Sequence, residues 1–157
     1  MVVLLVVSIC QFSFAQDSEE SNNSFTIQFA GSGARNLSAA YERILVSKTK
    51  YRLAQSIGYS PTFSPEDHTW FTEVNWIFGQ NKHHFTTGVS YTVVIPKSNE
   101  LLLYQETSNA IVFANVGYRL QEFKRDGITF NARLMPAYDI YEDYIVLWGG
   151  VSLGYSF

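Results

Sequence analysis

The sequence has little of several things, and each shortage excludes a class of protein. Cysteine occurs once in 157 residues, at Cys10. Cleavage after Ala15 would leave the mature chain without it, and so without a disulfide, a cysteine metal site or a thiol nucleophile. Positive charge is not in excess: 11 Lys and Arg against 14 Asp and Glu give a formal charge of −3. A nucleic-acid interface needs a concentrated basic patch, so that partner is excluded. Past the first fifteen residues no unbroken apolar run approaches the ~20 residues of a membrane-spanning helix. No helical period and no internal repeat appears. The length allows one domain at most.

Aromatic residues are what the chain has in quantity, at 16%, with ten Tyr and twelve Phe. That excess suits strands and membrane interfaces. Residues 1–15 read as a secretory signal. Val2 to Val7 form an apolar core, and Ser13-Phe-Ala15 places small residues at the −3 and −1 positions of a cleavage site. The segment has no Lys or Arg ahead of its core. Ile9 precedes Cys10, where a lipid-anchored Cys would normally follow a small residue. Residues 16–24 are polar and acidic without periodicity, which reads as a flexible tail.

Residues 25–157 alternate almost throughout, the pattern of half-buried strands. Phe25, Ile27 and Phe29 alternate with Thr26 and Gln28. Tyr51, Ile57 and Tyr59 alternate with Arg52, Ser56 and Gly58. Val116 and Tyr118 alternate with Asn115, Gly117 and Arg119. Turn signals divide the run into eight strands, the number of the smallest common membrane barrels. Short turns at Ser47–Lys50, Gln80–Lys82 and Lys124–Gly127 follow strands two, four and six. Longer connections at Ser60–Thr69 and Pro96–Ser108 follow strands three and five, with Leu101–Tyr104 as exposed apolar candidates or strand extensions. Short turns on one side and longer loops on the other are how outer-membrane barrels are built, although Gly31–Arg35 and Tyr141–Tyr144 are short for outer loops. The fold expected is an all-β, eight-stranded antiparallel up-and-down transmembrane barrel.

The polar faces decide which side is inside. They collect Gln28, Glu42, Arg52, Glu73, Asn75, Asn115, Arg119, Asn131, Arg133 and Asp139 among small residues, and they lack Lys. A solvated sheet face carries Lys freely, whereas Arg suits buried pairing with carboxylates. The expected lumen network is Glu42, Arg52, Glu73, Arg119, Arg133 and Asp139. By height, Glu42 is the partner for Arg52 or Arg119, and Glu73 or Asp139 the partner for Arg133. Aromatics on the apolar faces gather near strand ends, with Tyr51, Phe78, Phe85, Tyr118, Phe130 and Tyr155 at one end and Tyr59, Trp70 and Tyr138 at the other. Two such belts mark the interfaces of a bilayer. The rival is a secreted β-sandwich with its apolar face as core.

The last strand sets Ile145, Leu147, Val151, Leu153, Tyr155 and Phe157 on one face and ends on an aromatic residue. This resembles the C-terminal signal of bacterial outer-membrane barrels. The resemblance implies that the barrel assembly machinery reads Leu153, Tyr155 and Phe157. Asn36-Leu-Ser-Ala-Ala-Tyr-Glu-Arg43, Ile57-Gly-Tyr59, His83-His-Phe85 with Gly88, Val116-Gly-Tyr-Arg119 and Leu153-Gly-Tyr-Ser-Phe157 look like the small outer-membrane β-barrel proteins of Bacteroidetes. That family implies a Gram-negative outer membrane with its lipid and lipopolysaccharide as partners. It brings no catalytic residue.

Catalytic, cofactor and metal residues are therefore expected to be absent, and a monomer is favoured. Some small outer-membrane barrels resemble lipid A acyltransferases or deacylases, which need a Ser, a His and an acid together. Ser64, Asp67 and His68 share one predicted loop, but Ser and Asp are ordinary turn residues. His83 and His84 are neighbours on a strand, point to opposite faces and are expected to flank a solvated turn. The expected role is structural or surface interaction with a filled lumen. A narrow channel and a lipid-modifying enzyme are the alternatives.

Overall fold

The computed structural model describes residues 21–33, 37–61, 67–96, 109–140 and 144–157. The predicted signal, most of the tail, Ser64 and Leu101–Tyr104 lie outside them.

Eight strands follow one another: β1 (Asn23–Phe29), β2 (Leu37–Ser47), β3 (Tyr51–Pro61), β4 (Asp67–Gln80), β5 (His83–Pro96), β6 (Asn109–Leu120), β7 (Gly127–Asp139) and β8 (Tyr144–Ser156). Each is antiparallel to the next, and β8 pairs back onto β1, so the sheet is a closed barrel as the alternation predicts. Closure leaves no free edge. Asn23 and Phe157 complete the seam by exchanging both backbone hydrogen bonds, at 2.9 and 3.0 Å.

The strands are staggered. From Phe25 the ladder passes through Tyr41, Ile57, Thr72, Tyr91, Val112 and Tyr138 to Ile145. Phe25 itself pairs on β8 with Tyr155, ten residues further along. Such shear tilts the strands and fixes the diameter, and eight strands leave a bore that side chains fill. One bulge interrupts β2 between Ile44 and Val46. On β7, Pro136 has no N–H to give, and the β6–β7 ladder lapses between Phe113↔Ala137 and Val116↔Leu134.

Polarity is turned inside out. The exposed side chains include Phe25, Ile27, Phe29, Val89, Leu134, Val151 and Leu153, while Gln28, Glu42, Glu73, Asn75, Asn115, Arg119 and Arg133 are buried. Exposed aromatics form rows. Tyr51, Phe78, Phe85 and Tyr118 pair in succession across β3 to β6 near the end that holds the chain termini. Near the other end exposed Trp70 pairs with half-buried Tyr59, with rings 4.9 Å apart. At ~3.4 Å per residue and a tilt near ~40°, the step from Trp70 to Phe78 along β4 is about 20 Å high. That is close to the apolar band of about 25 Å on a membrane barrel.

Connections differ from expectation in two places. The predicted loop Ser60–Thr69 is shorter, because β3 runs to Pro61 and β4 starts at Asp67. Ser60 and Thr69 pair with each other and are fully buried, so alternation continues through hydroxyl residues that read as loop. The predicted turn Lys124–Gly127 is longer, because β6 stops at Leu120 and residues 121–126 form the connection. Gln121 donates its N–H to the Lys82 carbonyl at 2.9 Å, one rung beyond the last β5–β6 pair His83↔Leu120, and the chain turns after it.

Candidate functional site: the lumen and its mouths

Two ion pairs cross the middle of the bore. Arg119 on β6 reaches Glu42 on β2, with Nη2 2.6 Å from Oε1. Ser24 also donates to Glu42, and the Arg119 Nε donates to the Gln121 side-chain oxygen at 2.6 Å. In the second pair Arg133 on β7 donates to Glu73 on β4, which also accepts from Ser32 and Asn75. Asn115 extends this group by donating to Asn75 at 3.0 Å. Each carboxylate thus has a cation and at least one further donor, the condition for keeping charge in a low-dielectric interior.

Little space is left around them. The void bounded by Thr26, Gln28, Ser56, Thr86, Asn131, Ser152 and the two pairs is about 10 Å³. That is the size of a single water site.

At each mouth a described connection folds inward. At the end away from the termini, Ser32 is fully buried; its hydroxyl donates to Glu73 and its carbonyl accepts from the Thr92 hydroxyl. A Cβ on Gly31 would lie 2.3 Å from the Gln28 amide oxygen, so that side chain would have to move aside. Below it Phe113, Met135 and Ala137 pack as a small apolar layer with Ile111 and Trp148, and the Trp148 indole N–H donates to the Ala30 carbonyl at 2.6 Å.

At the terminal end the stopper is Phe123. Its ring is 3% exposed and packs on Ala54, Ile77 and Ile44. His84 meets it edge-on at 4.9 Å, and the guanidinium groups of Arg52 and Arg119 lie 4.2 and 5.5 Å from its centroid. Cations over an aromatic face are held by the ring quadrupole. Ser21 donates its N–H to the Phe123 carbonyl and its hydroxyl to Asp126, and so pins the connection from below. Outside the stopper Lys82 lies 3.0 Å from Glu122. The hydrogen bond from Lys82, aided by its charge and that of Arg125, holds the Glu122 carboxyl below the usual carboxylate range.

The six predicted lumen residues thus divide. Glu42 with Arg119 and Glu73 with Arg133 form the two pairs. Arg52 lies at the terminal mouth against Phe123. Asp139 closes β7 opposite Ile111 and Tyr144, and its side chain is outside the described residues. Leu153, Tyr155 and Phe157 are exposed on the outer face of the last strand.

The partner of His68 among the described residues is aromatic. His68 lies against Tyr59, whose hydroxyl is 2.6 Å from Nδ1, with the rings stacked at 5.8 Å. Ser64 and the Asp67 side chain lie outside the described residues. His83 and His84 do take opposite sides: His83 is exposed beside the Tyr118 hydroxyl. The solvated turn expected for both is wrong for His84, which is buried with Nε2 3.0 Å from the Gln121 carbonyl. The inward fold of residues 121–126 covers it. Among the described residues no group of three potential metal ligands comes together.

Sequence reasoning missed Ser32, Gln121 and Phe123. Phe123 carried a signal, an aromatic residue set in the polar stretch Gln121–Asp126. It also missed that Phe71, Ile77, Phe113 and Met135 face the bore.

Fold and lumen together define a small closed β-barrel with an apolar exterior and a filled polar interior. No protein-family model and no curated protein matches the sequence. The chain is similar in structure to the N-terminal β-barrel domain of OprF from Pseudomonas aeruginosa, with a TM-score of 0.51. The likeness covers 88% of this chain and 98% of that one at 13% identity, and is a likeness of fold.

Proposed function

We propose that the protein is an integral outer-membrane barrel of a Gram-negative bacterium, of the small Bacteroidetes type its motifs resemble, exported by the segment Met1–Ala15. Its role is structural or surface interaction, without catalysis and with a bore that does not conduct. The observation that carries this reading is the inversion of polarity: a belt of exposed Phe, Ile, Leu and Val around a bore that holds two ion pairs. In water that belt would be an apolar patch far larger than soluble monomers carry. In a bilayer it is the solvated surface.

The last strand would present Leu153, Tyr155 and Phe157 to the barrel assembly machinery. Lipopolysaccharide and phospholipid would be the neighbours of the belt. Membrane fractionation with heat-modifiable gel mobility tests the placement. The reading expects an outer-membrane species whose mobility changes on boiling, and a soluble periplasmic monomer with unchanged mobility would overturn it. Planar-bilayer recording separates the channel, because this bore should give no unitary conductance. Mass spectrometry of lipid A from cells with the protein and with His68→Ala separates the lipid-modifying enzyme. Identical lipid A profiles are expected.

A further inference from the structure

Outside the Phe123 stopper the terminal mouth opens into a cup of about 850 Å³. Its lining includes Lys48, Arg52, Lys82, Glu122, Phe123 and Lys124. The size is that of an ordinary small-ligand pocket.

Among the described residues the charge around the cup is one-sided. Arg119 and Arg133 are in the lumen, and every other described Lys and Arg belongs to the terminal end of the barrel. The two described carboxylates outside the lumen at this end are engaged: Glu122 with Lys82 at 3.0 Å, and Asp126 with the Ser21 hydroxyl at 2.9 Å. Among the described residues the cup therefore holds more cationic than anionic charge. Arg52 in its wall is already stacked on Phe123, so it loses little freedom when a ligand arrives. The exposed row Tyr51, Phe78, Phe85 and Tyr118 lies beside the same mouth. Such aromatics sit at the headgroup level of a bilayer.

We propose that this cup binds a phosphate group, carried by an anionic phospholipid headgroup in the adjoining leaflet or by a free phosphate ester. A phosphate offers several acceptor oxygens to converging donors, and the guanidinium fork with lysine point charges around it is the usual protein answer to that shape. The lipid source rests on the membrane placement proposed above. Phosphate binding itself rests only on the folded barrel, so the two readings fail separately.

The test uses the refolded chain in maltoside micelles, which contain no phosphate. Backbone amide shifts near Lys48, Lys82 and Lys124 are followed during titration with inorganic phosphate and with glycerol 3-phosphate, at constant ionic strength set by chloride. A second series places the protein in nanodiscs of phosphatidylglycerol or of phosphatidylcholine. Saturable shifts with the soluble phosphates assign the free ester. Saturable shifts with phosphatidylglycerol discs alone assign the lipid.

Each lysine near a lipid surface contributes about five-fold to anion affinity. The double variant Lys48→Gln/Lys124→Gln should weaken binding about twenty-five-fold on that scale. Glu122→Gln should act in the opposite direction, because it removes the anion from Lys82. Heat-modifiable mobility confirms that each variant is folded. No saturable shift in any series, equal shifts with chloride, or unchanged affinity in the double variant would overturn the proposal.

Discussion

Glu42 and Arg119 are 77 residues apart in the chain and meet across the bore at 2.6 Å. Neither has bulk water to fall back on, with Arg119 at 2% exposure. Replacing Glu42 by Ala leaves a buried guanidinium without its main acceptor. The loss should be about 3–5 kcal/mol in urea unfolding of the refolded barrel. Replacing both partners by apolar residues should restore much of it. A single-variant loss below about 1 kcal/mol would show that water reaches the pair.

Phe123 should behave as a stopper with a large packing contribution. Phe123→Ala removes a buried ring that touches Ala54, Ile77 and His84, and should destabilise the barrel by about 3–5 kcal/mol. Conductance should stay at zero, since the layer of ion pairs lies beyond it. Channel openings in this variant would place the barrier at the mouth instead.

Gly58 has no room for a side chain. A Cβ there would lie 2.1 Å from the Phe71 ring and 2.7 Å from the Ala39 carbonyl. Gly58→Ala should lower stability by about 1–3 kcal/mol. Adding Phe71→Leu should recover part of that, because the ring is the nearer obstacle. A fully additive pair of losses in the unfolding free energies would refute the contact.

The last strand provides two predictions about insertion. Deletion of Phe157 removes the terminal aromatic and both backbone bonds to Asn23, so the yield in outer membranes should fall. Val151 is exposed in the middle of β8, and Val151→Arg should cost about 2–4 kcal/mol at mid-bilayer. Wild-type yields of either variant in membrane fractions would contradict the assigned face and end.

The strands were legible because alternation is a local signal. Phe25, Ile27 and Phe29 declare their face without help from the rest of the chain, and an even number of such strands puts both ends of the barrel on one side. The buried pairs were legible for the same reason: Arg119 and Arg133 sit on polar faces where Lys is missing. What the sequence could not show was how the connections fold. Ser32 and Phe123 act by entering the bore from outside the ladder, and no periodicity marks a residue that leaves a strand. Phe71, Phe113 and Met135 were hidden because a lumen needs volume as well as polarity, and a period-two reading assigns every large apolar residue outward.

The two ion pairs join strands that are not neighbours, β2 to β6 and β4 to β7. An open sheet cannot make either contact, however many hairpins it has already formed. Until the ring is complete, four charged side chains remain on one face and keep that face wet. Burying them and sealing the β1–β8 seam are then one event, and the last strand decides when the charges go dry.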